Sequence, residues 1–115
     1  MRRNLVIRND IKRIAERLID KEFRSLKGIN IAYLGSDMLK IDNAGMPVYA
    51  KVKRVGYEYQ WLVKYDVFLI VYEPCIDGFD KNKIIDIVKG QLSKIHVETD
   101  KKTGDIRLFI YGDMQ

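Results

Sequence analysis

The spacing of apolar residues along the chain predicts two amphipathic helices. The first covers about residues 10–25, where apolar side chains recur every three or four positions. We expect Asn9 or Asp10 to cap its start, since either side chain can accept from free backbone N–H groups, and Lys27-Gly28 to end it. A second apolar stripe, from Ile84 to Ile95, predicts a helix over about residues 80–95 with Asp80 as its N-cap.

Other segments have the pattern of strands. Residues 29–34 predict a first strand, followed by a loop over 35–47. In residues 48–53, Val and Ala alternate with Tyr and Lys, which indicates a strand with one buried face and one solvent-exposed, cationic face. Trp61 to Lys64 are expected to lead into a third strand, Tyr65 to Tyr72, whose unbroken apolar run is typical of a central strand covered on both faces.

The end of the chain predicts a β-hairpin. Residues 96–99 and 105–111 flank a turn segment with Gly104 near its end. The resulting fold class is α+β, with two main helices packed on a small mixed or antiparallel sheet and a C-terminal hairpin. No linker or repeat interrupts the 115 residues, so we expect a single domain over 1–115.

Charge and apolar content are typical of a soluble protein whose basic N-terminal part could attract an anionic partner, although a solvated helix face is the more common explanation of such charge. The chain has 21 Lys and Arg against 16 Asp and Glu, and residues 1–27 alone hold nine basic and four acidic residues. The longest apolar run, Val67 to Tyr72, is far shorter than the roughly 20 residues that cross a bilayer. The N-terminus lacks a secretory apolar segment, and the lone Cys75 is typical of a reducing compartment, so we expect a cytoplasmic protein without membrane contact.

The chemical inventory argues against common enzyme classes. A catalytic zinc normally uses three protein ligands, and His96 is the only histidine. His96, Glu98 and Asp100 would share one strand face, but polar hairpin faces are ordinary, and neither Cys75 nor a carboxylate pair such as Asp66 with Glu73 is marked for catalysis. No glycine-rich phosphate loop is present, so the sequence predicts no metal and no cofactor.

Three stretches carry a resemblance to a known family: residues 30–34 (NIAYL), 49–52 (YAKV) and 62–70 (LVKYDVFLI). Together with the order of segments, they resemble the metallopeptidases encoded by phages and prophages, over about residues 10–115. That family looks zincin-like, with a basic N-terminal helix, a small sheet and an active-site helix carrying His-Glu-Leu-x-His. The resemblance therefore implies a zincin-like form of the α+β fold.

The same resemblance implies a degenerate active site. It aligns the active-site helix with residues 85–95, so the first zinc histidine falls on Gly90, the general-base glutamate on Gln91 and the second histidine on Lys94. A later family histidine falls on Gly112. Glycine offers no ligand, lysine brings a cation to a metal position, and glutamine cannot take a proton from water at neutral pH. The resemblance implies a catalytically silent relative.

Three hypotheses about function follow. The first is a pseudoenzyme of phage or mobile-element type that acts by binding a protein, for example as an inhibitor of a host defence system such as CRISPR. The second is nucleic-acid binding, in which basic residues neutralise phosphates and aromatic residues stack on bases, although we expect these aromatics to be partly buried packing residues. Its candidate residues are Arg8, Lys12, Arg13, Arg17, Lys51, Lys53, Arg54, Tyr57, Tyr59 and Trp61.

The third hypothesis is residual activity with a different metal around Gln91, which the missing ligands disfavour. The oligomeric state stays open between a monomer and a homodimer. A C-terminal strand over residues 107–111 could lie on a sheet edge and pair with a second copy.

Overall fold

A computed structural model describes residues 4–111 and shows an α+β fold. A 3₁₀ turn at Arg24–Leu26 follows the first helix. The elements, in chain order, are β1 (Leu5–Ile7), α1 (Asn9–Lys21), β2 (Ile31–Ser36), β3 (Ala50–Arg54), α2 (Tyr57–Val63), β4 (Val67–Tyr72), α3 (Glu73–Ile76), α4 (Lys81–Leu92), β5 (Ile95–Thr99) and β6 (Ile106–Ile110).

Four of the strands form a mixed sheet in the order β1-β2-β4-β3. β2 and β4 are parallel, with Ile31 opposite Val67, whereas β1 and β3 run antiparallel to their neighbours. β5 and β6 form a separate antiparallel hairpin, as the sequence predicted. β1 and β3 are therefore the two edges of the larger sheet.

One face of this sheet carries the core. Val67, Leu69 and Val71 of β4 are fully buried and belong to one cluster with Ile11 of α1 and Val88 of α4. The alternating residues Phe68 and Ile70 are only half-buried. The predicted central position of this strand is confirmed, since β4 lies between β2 and β3, but its second face is only partly covered, because α1 and α4 both pack on the other face.

The first helix is shorter than its apolar pattern predicted. It ends at Lys21, and the chain then turns through the 3₁₀ segment, which buries Leu26 in the core. The N-cap is Arg8, and no side chain caps the helix start, so the expected cap at Asn9 or Asp10 is wrong. Asp10 instead lies in the first turn, where its carboxylate accepts hydrogen bonds from Arg8.

The second predicted helix corresponds to α4, and its start is confirmed. Asp80 is the N-cap, and its side chain accepts a hydrogen bond from the backbone N–H of Lys83 at 2.8 Å. The helix ends at Leu92 rather than near residue 95. Ile95 keeps the apolar spacing and is buried, but it does so as the first residue of β5.

Three elements were absent from the predictions. Residues 57–63 form α2, although the sequence predicts that Trp61 to Lys64 lead into a strand. β1 and α3 lie in segments for which the sequence predicts no element. The strands over 29–34, 48–53 and 65–72 are confirmed with starts shifted by two residues, at Ile31, Ala50 and Val67. Within residues 4–111, no helix has both the length and the apolar content needed to span a membrane.

Candidate functional site

The positions that the family resemblance assigns to two metal ligands and the general base lie at or just after the end of α4. Gly90 and Gln91 occupy its last turn, and Lys94 lies in the turn between α4 and β5. The sequence placed all three on one helix, which is wrong for Lys94 because α4 ends at Leu92. Gly112 lies outside the described residues.

A cleft of about 780 Å³ opens beside this helix end. It runs between the edge strand β3 and the loop over residues 40–48, and Gln91 and Lys94 form part of its lining. The amide Oε1 of Gln91 is buried and has no hydrogen-bond partner among the described residues. A Cβ at Gly90 would meet no atom within 4 Å, so the position has open space but no ligand.

The acidic and histidine side chains of the hairpin have other roles. The rings of His96 and Tyr111 meet edge to face with centroids 4.3 Å apart, and Glu98 lies opposite Arg107 in the register. Asp100 accepts hydrogen bonds from backbone N–H groups of the turn, at 2.8 Å from Lys102. Over residues 4–111, no three His, Cys, Asp or Glu side chains are grouped closely enough to hold a metal ion.

The other catalytic candidates are not brought together. Asp66 and Glu73 lie at opposite ends of β4, so their backbones are roughly 20 Å apart at about 3.3 Å per residue. Asp66 accepts from the backbone N–H of Asn30, and Glu73 pairs with Arg8. Cys75 is buried, and its Sγ is 3.5 Å from the carbonyl oxygen of Lys40.

The basic residues proposed for nucleic-acid binding do not form one surface. Lys12, Arg13 and Arg17 are exposed on α1, which packs on the core face of the sheet. In β3, Lys51 and Lys53 alternate with the buried residues and so point to the opposite face. A single strand of nucleic acid would therefore have to pass around the sheet to reach both sets.

Arg8 is a structural cation rather than a free one. It donates to both carboxylate oxygens of Asp10, at 2.9 and 2.8 Å, and its Nη1 lies 3.5 Å from Glu73. The hydrogen bonds that Arg8 donates to Asp10 raise the pKa of Arg8 against an opposing effect of burial. Arg54 is also engaged, since its Nη1 donates to the carbonyl oxygen of Leu108 at 3.3 Å.

The aromatic candidates lie on α2, and none of them is buried. Tyr57 is 72% exposed, Tyr59 62%, Trp61 76% and Leu62 78%. The expectation that these aromatics are partly buried packing residues is wrong, because all three are largely exposed and no residue of α2 is buried. We call Tyr57, Tyr59, Trp61, Leu62 and Val63 the α2 surface.

Basic residues flank the α2 surface. Lys53 and Arg54 end the preceding strand, and Lys64 follows the helix as its C-cap. Glu58 is the acidic residue within α2 itself. The segment therefore combines large exposed apolar side chains with three cations next to them in the chain, while Asp66 lines a groove with Tyr57 and Arg54.

Comparison with known proteins gives no further guide to these surfaces. No protein-family model, curated protein or solved structure matches the chain. The resemblance to phage metallopeptidases therefore stays a prediction from the sequence.

Proposed function

We propose that this protein is a non-catalytic binding module that docks on another protein through the α2 surface. The observation that carries this proposal is the composition of α2. Five of its side chains are large and apolar or aromatic, yet the helix buries none of its residues. A helix that is apolar around most of its circumference is normally buried against other protein.

The energetics of α2 point the same way. A helix of seven residues is far too short to be stable by its own hydrogen bonds. Most helices of this kind gain stability from packing an apolar face on the core, and α2 has no such face. A partner that covered Tyr57 and Trp61, one turn apart on the same side, would supply the missing contact.

The side chains are also of the types that dominate binding energy. Trp and Tyr are enriched among the few interface residues that account for most of the affinity, because they bury large areas with few rotatable bonds. Exposed apolar patches bordered by polar residues mark interaction sites more often than chance surface. Trp61 is the expected anchor of the contact, with Tyr57 and Leu62 beside it.

Charge complementarity defines the partner's chemistry. Lys53 and Arg54 precede α2 in the chain and Lys64 follows it, against the carboxylates of Glu58 in the helix and of Asp66, which lines a groove together with Tyr57 and Arg54. The matching surface is an apolar pocket with an acidic rim. Opposite charges at the rim would mainly speed association and favour the right partner, while the buried aromatics would set the dissociation rate.

The family resemblance supplies a biological setting for such a module. A metallopeptidase relative with glycine at Gly90 and a cation at Lys94 would be a pseudoenzyme, retained for binding. In a phage or mobile element, that role suits an inhibitor of a host defence system, with a CRISPR effector as one target. This setting is part of the proposal, and the resemblance is its support.

The first experiment isolates the partner and then rebuilds the complex from purified components. The tagged protein is incubated with nuclease-treated host lysate, in parallel with Trp61→Ser and with Leu39→Ser. Leu39 is a matched control, since it is 61% exposed and follows β2 at the end of the sheet opposite α2. We expect wild type and Leu39→Ser to capture one stoichiometric protein, and Trp61→Ser to capture none. The captured protein, once purified, should bind wild type directly.

Other outcomes would count against this function. Single-stranded nucleic acid can stack on the same exposed aromatics, so saturable, salt-sensitive binding of an oligonucleotide that requires Trp61 would favour the second hypothesis. Light scattering that shows a Trp61-dependent dimer would identify the occupant as a second copy. Peptide turnover abolished by a chelator would contradict the non-catalytic part of the proposal.

A further inference from the structure

A pocket that shares no residue with the α2 surface lies between α1 and the start of α4. Its lining includes Arg13 and Arg17 of α1 and Lys81, the first residue of α4. Half-buried apolar side chains form its floor, from Ile14, Phe79 and Ile84. The volume is about 310 Å³, at the lower end of the range for small-molecule sites.

The three cations of this pocket are not paired with an acidic side chain of the described residues. Across residues 4–111, none of their side chains makes a hydrogen bond or an ion pair. Arg13 and Arg17 are one helical turn apart, a spacing at which like charges repel and destabilise a helix. An anion bound between them would relieve that repulsion.

The acidic residues nearby are already engaged. Asp10 also lines the pocket, but both of its carboxylate oxygens accept hydrogen bonds from Arg8. Asp80, which precedes Lys81, accepts from the backbone N–H of Lys83 at the start of α4. The pocket lining therefore keeps an excess of positive charge.

Two contacts position the Phe79 ring in the lining of the pocket. The ammonium group of Lys83 lies 4.1 Å from the centroid of the Phe79 ring. The ring of Tyr49 meets Phe79 edge to face at 5.3 Å. Because these contacts fix the ring, Phe79 offers a preformed apolar surface beside the two guanidinium groups.

We propose that this pocket binds a small phosphate monoester that carries an aromatic or aliphatic group. Guanidinium groups match the geometry of phosphate oxygens and bind them through paired hydrogen bonds. Arg13, Arg17 and Lys81 hold the phosphate, and the apolar part of the ligand rests on Phe79 and Ile84. This binding is independent of the α2 surface and of any partner protein.

Titration calorimetry with phenyl phosphate tests the proposal on the full chain. We expect saturable binding that is tighter than that of inorganic phosphate or of phenol, since each of these lacks half of the ligand. Arg17→Gln should weaken binding about tenfold or more, the loss expected for a charge-assisted hydrogen bond. Lys81→Gln should weaken it in the same direction.

The control is Lys21→Gln, which removes one positive charge from the same helix at a residue outside the pocket. We expect its dissociation constant to stay within about twofold of wild type, since only screened long-range attraction is lost. A parallel titration with adenosine monophosphate shows whether a nucleoside group gives a lower dissociation constant than a phenyl group. Equal weakening by Arg17→Gln and Lys21→Gln, or no saturable binding of either monoester, would overturn the proposal.

Discussion

Arg8 holds Asp10 through two parallel hydrogen bonds, from Nε to Oδ1 at 2.9 Å and from Nη2 to Oδ2 at 2.8 Å. The pair joins the end of β1 to the first turn of α1. Because the two side chains pair, Arg8 is not free to bind a partner, and Asp10 does not cap α1. The hydrogen bond from Arg8 lowers the pKa of Asp10 to about 2.

The Arg8–Asp10 pair predicts a specific dependence of stability on pH. The folded pKa of Asp10 lies below its ordinary value of 3.8, so its contribution is present above about pH 4 and is lost as the pH falls toward 2. Because the Asp10 side chain is about half exposed, solvent screening limits that contribution to about 0.5–1 kcal/mol. Asp10→Asn should show this deficit in urea unfolding at pH 7 and only a small part of it at pH 2.

The N-cap of α4 gives a second prediction. Asp80→Ala removes the acceptor for the Lys83 N–H and should lower the free energy of unfolding by about 1 kcal/mol. Asn9→Ala is the matched control, because α1 has no side-chain cap and should lose less than about 0.5 kcal/mol. Similar losses in both variants would contradict the assigned caps.

Lys64 offers a test of backbone strain. Lys64 is the C-cap of α2, and its φ of 58° lies in the left-handed region. Among the described residues it is the non-glycine residue with a positive φ. Lys64→Gly should raise the free energy of unfolding by up to about 1 kcal/mol, while Lys64→Val should lower it by a similar or larger amount. Thermal unfolding at neutral pH measures both changes.

The one-sided core predicts different costs at adjacent residues of β4. Leu69 is fully buried, so Leu69→Ala should lower the free energy of unfolding by about 3–5 kcal/mol. Ile70 is half-buried on the other face, and Ile70→Ala should cost about half as much or less. Equal losses in chemical denaturation would mean that both faces of the sheet are covered in solution.

Much of the fold could be predicted because local pattern and tertiary structure agree. Asp80 is followed by an apolar stripe with helical spacing, and the alternation in residues 50–54 matches a strand with one buried face. The end of α4 could not be read this way, because Leu92 and Ile95 both face the core although they belong to a helix and a strand. Apolar spacing alone does not distinguish these cases.

The α2 surface was missed for a different reason. Tyr, Trp and Val are typical strand residues, and the segment before β4 reads as a continuation of that strand. Two signals were present: Gly56 at the helix start and the spacing of four residues between Tyr57 and Trp61. Whether these side chains are exposed depends on how α2 packs in the fold, and a local sequence pattern does not specify that.

The resemblance-based site could be predicted only in part. Gly90 and Gln91 do lie on the expected helix, whereas the position of Lys94 depends on where α4 stops. The basic residues of α1 and β3 were grouped by composition, but strand alternation separates them onto opposite faces. The pocket that contains Arg13, Arg17 and Lys81 joins residues almost 70 positions apart and becomes visible only in three dimensions.

Trp61 should matter for binding and not for folding. Because its side chain is largely exposed, Trp61→Ser should change the free energy of unfolding by less than about 0.5 kcal/mol. Circular dichroism and thermal unfolding of the variant check this directly. A large loss of stability would mean that the Trp61 side chain packs against the rest of the protein and is not available for a partner.

The most direct test of the central claim is the dissociation constant of the purified partner for three proteins: wild type, Trp61→Ser and Leu39→Ser. We predict that loss of the Trp61 anchor weakens binding by about 100-fold, as for other central aromatic residues of interfaces, while Leu39→Ser stays within about threefold. Unchanged affinity in a folded Trp61→Ser variant would contradict the assignment of the α2 surface as the docking site.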